Sequence, residues 1–356
     1  MRTKIYGTIG PACQSTDTLV RLFEKGMTGI RLNLSHSDLG DVSEWILHIH
    51  EAYASWQGRV SGGERPGLEL LIDLKGPELR IGKINGVREL VNGEQIALIS
   101  GREENCGEVD PASEILEIPI PDAVISHLSV GQQILLNDGK ISLNVVNICR
   151  DKKQYHAINC IVQRGGEISS GKSIALPSAK LDLPTLTESD LENIRQAKKY
   201  GVTGVMLPFV RDKNDLKKLK EVLIKEKCGD IRVFAKIENL DGLRRLPELL
   251  PYCDEVVIAR GDLGNAMPLW ELPVVQAQIA DLCRQAGKPF LVVTQMLASM
   301  EKAAVPTRAE VSDIFRAVCE GAASVMLTGE TAVGTHPVEA MEYMANTVRE
   351  AERYIR

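Results

Sequence analysis

Aromatic residues are scarce in this chain, at 4% of 356 positions. A surface that stacks bases needs more of them. A formal net charge of −6 also removes the basic footprint that a phosphate backbone attracts. Both absences exclude a nucleic-acid partner. No apolar run reaches the roughly 18 residues that span a bilayer, so no membrane segment is expected. Met1 leads within a few residues into a strand pattern, which leaves no room for a secretory leader. The eight cysteines show no C-x-x-C spacing and read as buried thiols in a reducing cytoplasm. What is present is ordinary soluble composition, 44% hydrophobic and 25% charged. The length suits one large core plus a smaller domain.

Strand-like and helix-like runs alternate. Strands are expected at Thr3–Gly7, Gly29–Asn33 and Leu68–Asp73, with helices at Thr16–Lys25 (capped by Ser15 or Thr16) and Leu39–Gln57. No helix follows the third strand. Instead, residues 77–177 carry short alternating segments and the hairpin signals Asn85-Gly86, Asn92-Gly93 and Asp138-Gly139. This stretch reads as an inserted small β-domain. The alternation then resumes with helices Glu188–Tyr200, Lys213–Lys225, Gly242–Leu250, Leu272–Ala286, Ala309–Glu320 and Pro337–Arg353. The strands between them are Gly204–Leu207, Ile231–Ile237, Glu255–Ala259, Phe290–Thr294 and Ser324–Leu327. Thr187 with Asp190, and Thr307 with Glu310, have capping-box spacing. Eight strand–helix units predict an α/β fold, a (β/α)8 TIM barrel of residues 1–76 and 178–356. An open doubly wound sheet is the alternative.

In such a barrel, functional residues lie at the C-terminal ends of strands. Arg31, Asn33, Asp73, Lys75, Arg211, Glu238, Asp262, Thr294 and Thr328 all fall there. Glu238 and Asp262 are one strand–helix unit apart, so their carboxylates should project from the same end of neighbouring strands. Two hard oxygen ligands suit Mg2+ or Mn2+. Lys236 precedes Glu238 by two residues, so both side chains share a face and a fixed cation lies beside the proposed metal. That combination suits chemistry on a phosphate or an enolate. Gly261-Asp262-Leu263-Gly264 can open a short turn of helix whose N–H groups favour an anion.

Other patterns carry less. Gly166–Ser173 fits G-x-x-x-x-G-K-[ST], but Ile174-Ala-Leu-Pro177 follows and no helix pattern begins, so it is not read as a P-loop. Lys172 there remains a phosphate contact by charge. His48 and His50 are two apart on a helix and face different directions, as surface residues would. His36 shares a loop with Arg31, Asn33 and Ser35. The Lys213–Lys227 charge run reads as a solvated helix face.

Together these residues form a signature. Thr8-Ile-Gly-Pro11, Arg31-Leu-Asn-Leu-Ser-His36 and Asp73-Leu-Lys-Gly-Pro-Glu-Leu-Arg80 are present. So are Lys236-Ile-Glu-Asn239, Ala259-Arg-Gly-Asp-Leu-Gly264, Thr294-Gln-Met296, Pro306-Thr-Arg-Ala-Glu310 and Gly329-Glu-Thr331. The chain resembles the pyruvate kinase family, in order over nearly its whole length. The resemblance implies a catalytic barrel with the small β-domain as a lid. It implies transfer of the phosphoryl group of phosphoenolpyruvate to ADP, giving pyruvate and ATP in the cytoplasm. Glu238 and Asp262 would hold Mg2+ (or Mn2+). Lys236 and Arg31 would grip the phosphoryl group. Gly261, the Asp262 backbone and Thr294 would hold the substrate carboxylate. Asn33, Ser35, Asp73 and the Leu74 carbonyl match the family's K+ site, and Glu78 matches the residue of K+-dependent members. Asn33, His36, Arg80 and Lys172 would touch the nucleotide. Thr294 and Thr328 match hydroxyls linked to enolate protonation.

The resemblance also sets expectations by difference. Typical members continue into a C-terminal effector domain, so effector control through that domain is not expected here and a tetramer is in doubt. A homodimer through barrel faces stays open. Val333 stands where the family has Lys, Ser37 where it has Gly, and Phe315-Arg316 where it has small or polar residues. The competing readings are a metal-dependent lyase or aldolase working through a pyruvate enolate, a non-catalytic binding protein, and a kinase dedicated to another pathway. A lyase needs no phosphoryl clamp, and no catalytic position is lost.

Overall fold

The computed structural model describes residues 3–35, 37–59, 67–100, 115–125, 127–150, 156–176 and 183–356. Eight parallel strands close into a ring. They are β1 (Lys4–Ile9), β2 (Gly29–Asn33), β3 (Glu69–Asp73), β4 (Gly204–Leu207), β5 (Arg232–Ile237), β6 (Glu255–Ala259), β7 (Phe290–Val293) and β8 (Ser324–Leu327). Each pairs with its neighbour in sequence, and β1 pairs with β8. That closure selects the (β/α)8 barrel over the open sheet. The strands read as near-continuous apolar runs because both faces are covered.

Inside the ring, Tyr6, Leu71, Met206, Phe234, Val257, Ala259, Leu291, Val293 and Met326 form one buried cluster. Small residues make room for the large ones. A Cβ at Gly204 would lie 2.4 Å from the Leu71 side chain and 2.7 Å from Phe234. At Gly29 it would lie 2.4 Å from Tyr6. The N-terminal end of the ring is closed by charge. Glu69 accepts from Tyr6 and Lys4, and Glu255 accepts from Ser324 and, at 2.8 Å, from Arg232.

Both expected capping boxes form, at Thr187/Asp190 and Thr307/Glu310, and Ser15 caps the first helix. Three expectations are corrected. The helix expected at Gly242–Leu250 is broken into Leu240–Arg244, Leu246–Leu249 and a 3-10 turn at Leu250–Tyr252. Pro247 and Pro251 lack the N–H that would continue it. The second helix begins at Ser43 rather than Leu39, whose N–H is taken by the Asn193 side chain at 2.8 Å. The cysteines are not all buried: Cys149 is exposed and Cys319 half-exposed, although Cys13, Cys160, Cys228, Cys253 and Cys283 are buried free thiols.

The chain divides into two compact units, one of Met1–Gly76, Thr185–Leu263 and Trp270–Arg356, the other of Pro77–Pro184 and Gly264–Leu269. The second has its own core, including Ile96, Leu98, Ile118, Ile134, Leu143 and Ile158. Its six-stranded sheet runs Ile174–Ala175, Gln133–Leu136, Ile141–Arg150, His156–Arg164, Gln95–Ser100, Leu116–Ile120. Asp138-Gly139 turns one hairpin, with φ of 55° and 76°. The P-loop-like segment runs from strand Gly166–Ile168 to strand Ile174–Ala175, and among the described residues up to Leu176 no helix begins. Among the described residues, no helix is long and apolar enough to cross a membrane.

Phe234 is fully buried in the ring. Phe234→Ala is expected to cost about 3–5 kcal/mol through lost burial and a residual cavity. Urea unfolding followed by circular dichroism checks this; a loss below about 1 kcal/mol would show that the ring collapses around the gap.

Candidate active site

Strand register sets the first contacts. Arg31 lies beside Leu71, and Asp73 is two residues further along the same face of β3. Arg31 therefore reaches Asp73, and its Nε and Nη2 both donate to Asp73 Oδ2, at 3.0 and 2.6 Å. Its Nη1 donates to Thr8 Oγ1 at 3.1 Å. From β5, Lys236 Nζ reaches the same Oδ2 at 3.1 Å and Glu238 Oε1 at 2.8 Å. The other Glu238 oxygen accepts the Phe209 N–H at 2.7 Å. Phe209 has φ +54°, a left-handed conformation unusual for a bulky residue.

The cluster is buried: the side chains of Asp73, Arg31 and Lys236 are 2%, 12% and 13% exposed. Two cations balance two carboxylates. Burial disfavours charge on Asp73, but Lys236 and Arg31 outweigh it and hold its carboxyl below the usual range. Burial also disfavours the Lys236 ammonium, yet Asp73 and Glu238 drive its pKa up. Both directions describe one ion-paired network.

One atom stands apart. Asp73 Oδ1 is buried and finds no hydrogen-bond partner among the described residues. Leaving such an oxygen unsatisfied costs about 1–3 kcal/mol. A cation there would remove that cost. Asn33 pairs with Asp73 across the β2–β3 register, and Ser35 Oγ donates to Asn33 Oδ1 at 3.0 Å. Asn33 and Ser35 thus supply further oxygen-bearing side chains at and just beyond the end of β2, beside the strand that carries Asp73.

Glu238 and Asp262 follow adjacent, paired strands. Asp262 is exposed, in the short helix Arg260–Asn265 expected after β6. Among the described residues, no group of three or more His, Cys, Asp or Glu could hold a metal. Two carboxylates fit Mg2+, which takes one or two from the protein and fills its sphere with water and substrate oxygen.

Thr294 ends β7 early. It was expected in the strand, but its φ is +80°, and the strand stops at Val293. A Cβ at Gly261 would lie 3.1 Å from Thr294 Cγ2, tighter than an ordinary contact, so glycine eases the close approach of the β6 loop. The Thr328 N–H donates to Glu330 Oε2 at 2.7 Å, and the Thr328 hydroxyl lies 3.2 Å from the same oxygen.

The remaining expected residues divide. Lys75 donates its N–H to Asp190, and Arg211 bonds Asp215, its neighbour one helical turn on; both contacts are structural. Arg80 and Lys172 belong to the smaller unit, where Arg80 bonds the Gly171 carbonyl at 2.7 Å and Glu78 at 2.9 Å. His36 lies outside the described residues. Thr8, Phe209 and Glu330 were missed as site-forming residues. Thr8 and Glu330 sit in the signature segments, but Phe209 acts through its backbone and left no side-chain signal.

The family model described as pyruvate kinase, barrel domain, matches residues 1–341. The chain belongs to the pyruvate kinase family. It is 38% identical over 352 residues to a pyruvate kinase of Bacillus licheniformis, covering 99% of this chain and 57% of that protein. It is 38% identical over 344 residues to one of Geobacillus stearothermophilus, covering 96% of this chain and 56% of that protein. For one of Thermococcus litoralis the figures are 35% over 353 residues, 99% and 70%. The chain thus spans just over half the length of the first two.

The pKa directions fix a pH dependence. Asp73 titrates lower in the folded chain than its unfolded value of about 3.9. Its stabilisation is therefore complete above about pH 4 and lost as pH falls through the folded pKa. Lys236 has the opposite sense: its contribution holds below about pH 10.4 and is lost as pH rises through the raised folded value. Asp73→Asn is expected to cost about 3–5 kcal/mol at pH 7, because it leaves two buried cations short of a partner. It should also flatten the acid limb of stability against pH. Urea midpoints between about pH 2 and 7 test this, and an unchanged acid limb would count against the pairing.

Proposed function

We propose that the chain transfers the phosphoryl group of phosphoenolpyruvate to ADP, giving pyruvate and ATP. The observation that carries this reading is the convergence of Arg31 and Lys236 on one buried oxygen of Asp73 at the barrel's C-terminal end. Two fixed cations at one point suit a phosphoryl group in flight, whose transfer depends on positioning and charge stabilisation. Family membership points the same way. A lyase or aldolase would have no use for this cationic pair.

In this reading, Glu238 and Asp262 hold Mg2+ (or Mn2+), which supplies charge neutralisation when bound. Asn33, Ser35, Asp73 and the Leu74 carbonyl hold K+; the unpartnered Asp73 oxygen supports it. Gly261, the Asp262 backbone and Thr294 bind the substrate carboxylate. Thr294 and Thr328 serve proton delivery to the enolate carbon. Asn33, His36, Arg80 and Lys172 contact the nucleotide, and Glu78 marks K+ dependence. Residues 1–76 and 178–356 form the catalytic barrel, and residues 77–177 an inserted domain. A cytoplasmic setting and a homodimer through barrel faces complete the proposal; the buried free thiols support the former.

The test incubates the purified chain with phosphoenolpyruvate, ADP, Mg2+ and K+ and follows pyruvate and ATP. Lys236→Met is expected to lower kcat by at least about 100-fold, the scale of one lost charge-stabilising group. Wild-type turnover no greater than this variant's would end the kinase reading. Glu238→Gln should raise the Mg2+ requirement; an unchanged requirement would remove Glu238 as a ligand. Replacing K+ by a large organic cation should lower activity if Glu78 is read correctly.

A further inference from the structure

The loop after β7 holds its backbone in an unfavourable conformation. Thr294 and Gln295 have φ of +80° and +55°, consecutive left-handed residues, and one of them is β-branched. A β-branched residue avoids this region, and such conformations persist only where the surroundings impose them. Arg260 does so. Its Nε and Nη2 both donate to the Thr294 carbonyl, at 3.1 and 2.7 Å. Its Nη1 pairs with Asp313 Oδ2 at 2.5 Å, from the helix Arg308–Cys319. The Arg260 side chain is only 11% exposed. Further along the loop, Glu330 takes the Leu297 N–H at 2.9 Å and Glu310 the Ser299 N–H at 2.7 Å. Arg260 Nη2 also meets Met296 Sδ at 2.9 Å. The loop is thus held at Thr294, Met296, Leu297 and Ser299, and among these contacts it is the Arg260 fork that falls on the Thr294 carbonyl.

We propose that the Arg260–Asp313 pair is a positioning device that fixes the strained Thr294 backbone and so aims its hydroxyl. Arg260 touches no reacting atom; it acts through the Thr294 carbonyl. A lysine could keep the charge but not the planar fork that places two N–H groups on one oxygen while a third meets Asp313. The consequence rests on the phosphotransferase reading above. The step affected is the one in which a proton is delivered to the enolate carbon, the enolate electron pair forms the C–H bond and the oxygen becomes the ketone. Binding of phosphoenolpyruvate, which draws on several other groups, is affected little.

The test uses the whole chain with 13C-labelled threonine methyl groups, the Thr294 resonance being assigned by Thr294→Ser. Arg260→Met and Asp313→Asn are both examined; Asp313→Asn preserves volume and carries the test where Arg260→Met does not fold. The Thr294 methyl resonance is expected to shift or broaden in both. Solvent deuterium exchange into the pyruvate methyl group and kcat are expected to fall, on the order of 100-fold for Arg260→Met, the scale for a misplaced group. KM for phosphoenolpyruvate should change less than about threefold, since uniform binding is untouched. Arg260→Met combined with Thr294→Ala should be no slower than Thr294→Ala alone, because one acts through the other. An unmoved Thr294 methyl resonance in a folded variant, or rate losses that multiply in the double variant, would overturn the inference. A wild-type chain without turnover would instead overturn the kinase reading, and the methyl resonance would still decide whether Arg260 sets Thr294.

Discussion

A single buried oxygen, Asp73 Oδ2, organises the site. Arg31 from β2 and Lys236 from β5 both bond to it, so two cations that would repel each other are held at one point. Glu238 completes a neutral set of four charges. In a low-dielectric interior, removing one member leaves an unpaired charge, which is why such sets are kept or lost together. The convergence also determines what could bind. Fixed cations whose positions are already set need no reorganisation when an anionic group arrives, and that is the basis of electrostatic catalysis.

The two ends of the barrel use buried charge differently. At the N-terminal end, Glu255 is paired with Arg232 and Ser324, and Glu69 with Tyr6 and Lys4. Burial raises the Glu255 carboxyl, against the opposing pull of Ser324 and Arg232. No Glu69 or Glu255 oxygen there is left buried without a partner. At the C-terminal end, Asp73 keeps one buried oxygen unpartnered among the described residues. A network in which every group is satisfied closes a fold. One with an orphaned carboxylate oxygen carries a cost that a bound cation would relieve. The barrel therefore separates its fully partnered buried charges from the incompletely partnered ones along its own axis.

Much of the fold was legible from periodicity. The eight strands came from short β-branched and apolar runs, and the helix starts at Thr187 and Thr307 from capping-box spacing. These signals are local, and local chemistry predicts them. The misses were also physical. Pro247 broke a helix whose apolar pattern ran on through it, and Thr294 left its strand one residue early. In the site, Lys236 and Glu238 were readable because two residues along a strand share a face. The contact of the Phe209 N–H with Glu238 was not, because a backbone donor has no residue type to read.

The order of strands and the residues at their C-terminal ends were properties of the sequence alone: each depends on neighbours a few positions apart. Which charges meet was decided only by closure. Arg31, Asp73 and Lys236 are 42 and 163 residues apart in the chain, and ring geometry brings them to one oxygen. The hold of Arg260 and Asp313 on Thr294 is of the same kind, joining β6, the β7 loop and the helix that follows it. Register and closure are long-range constraints, so no local pattern encodes them, and the chemistry of the site arises there.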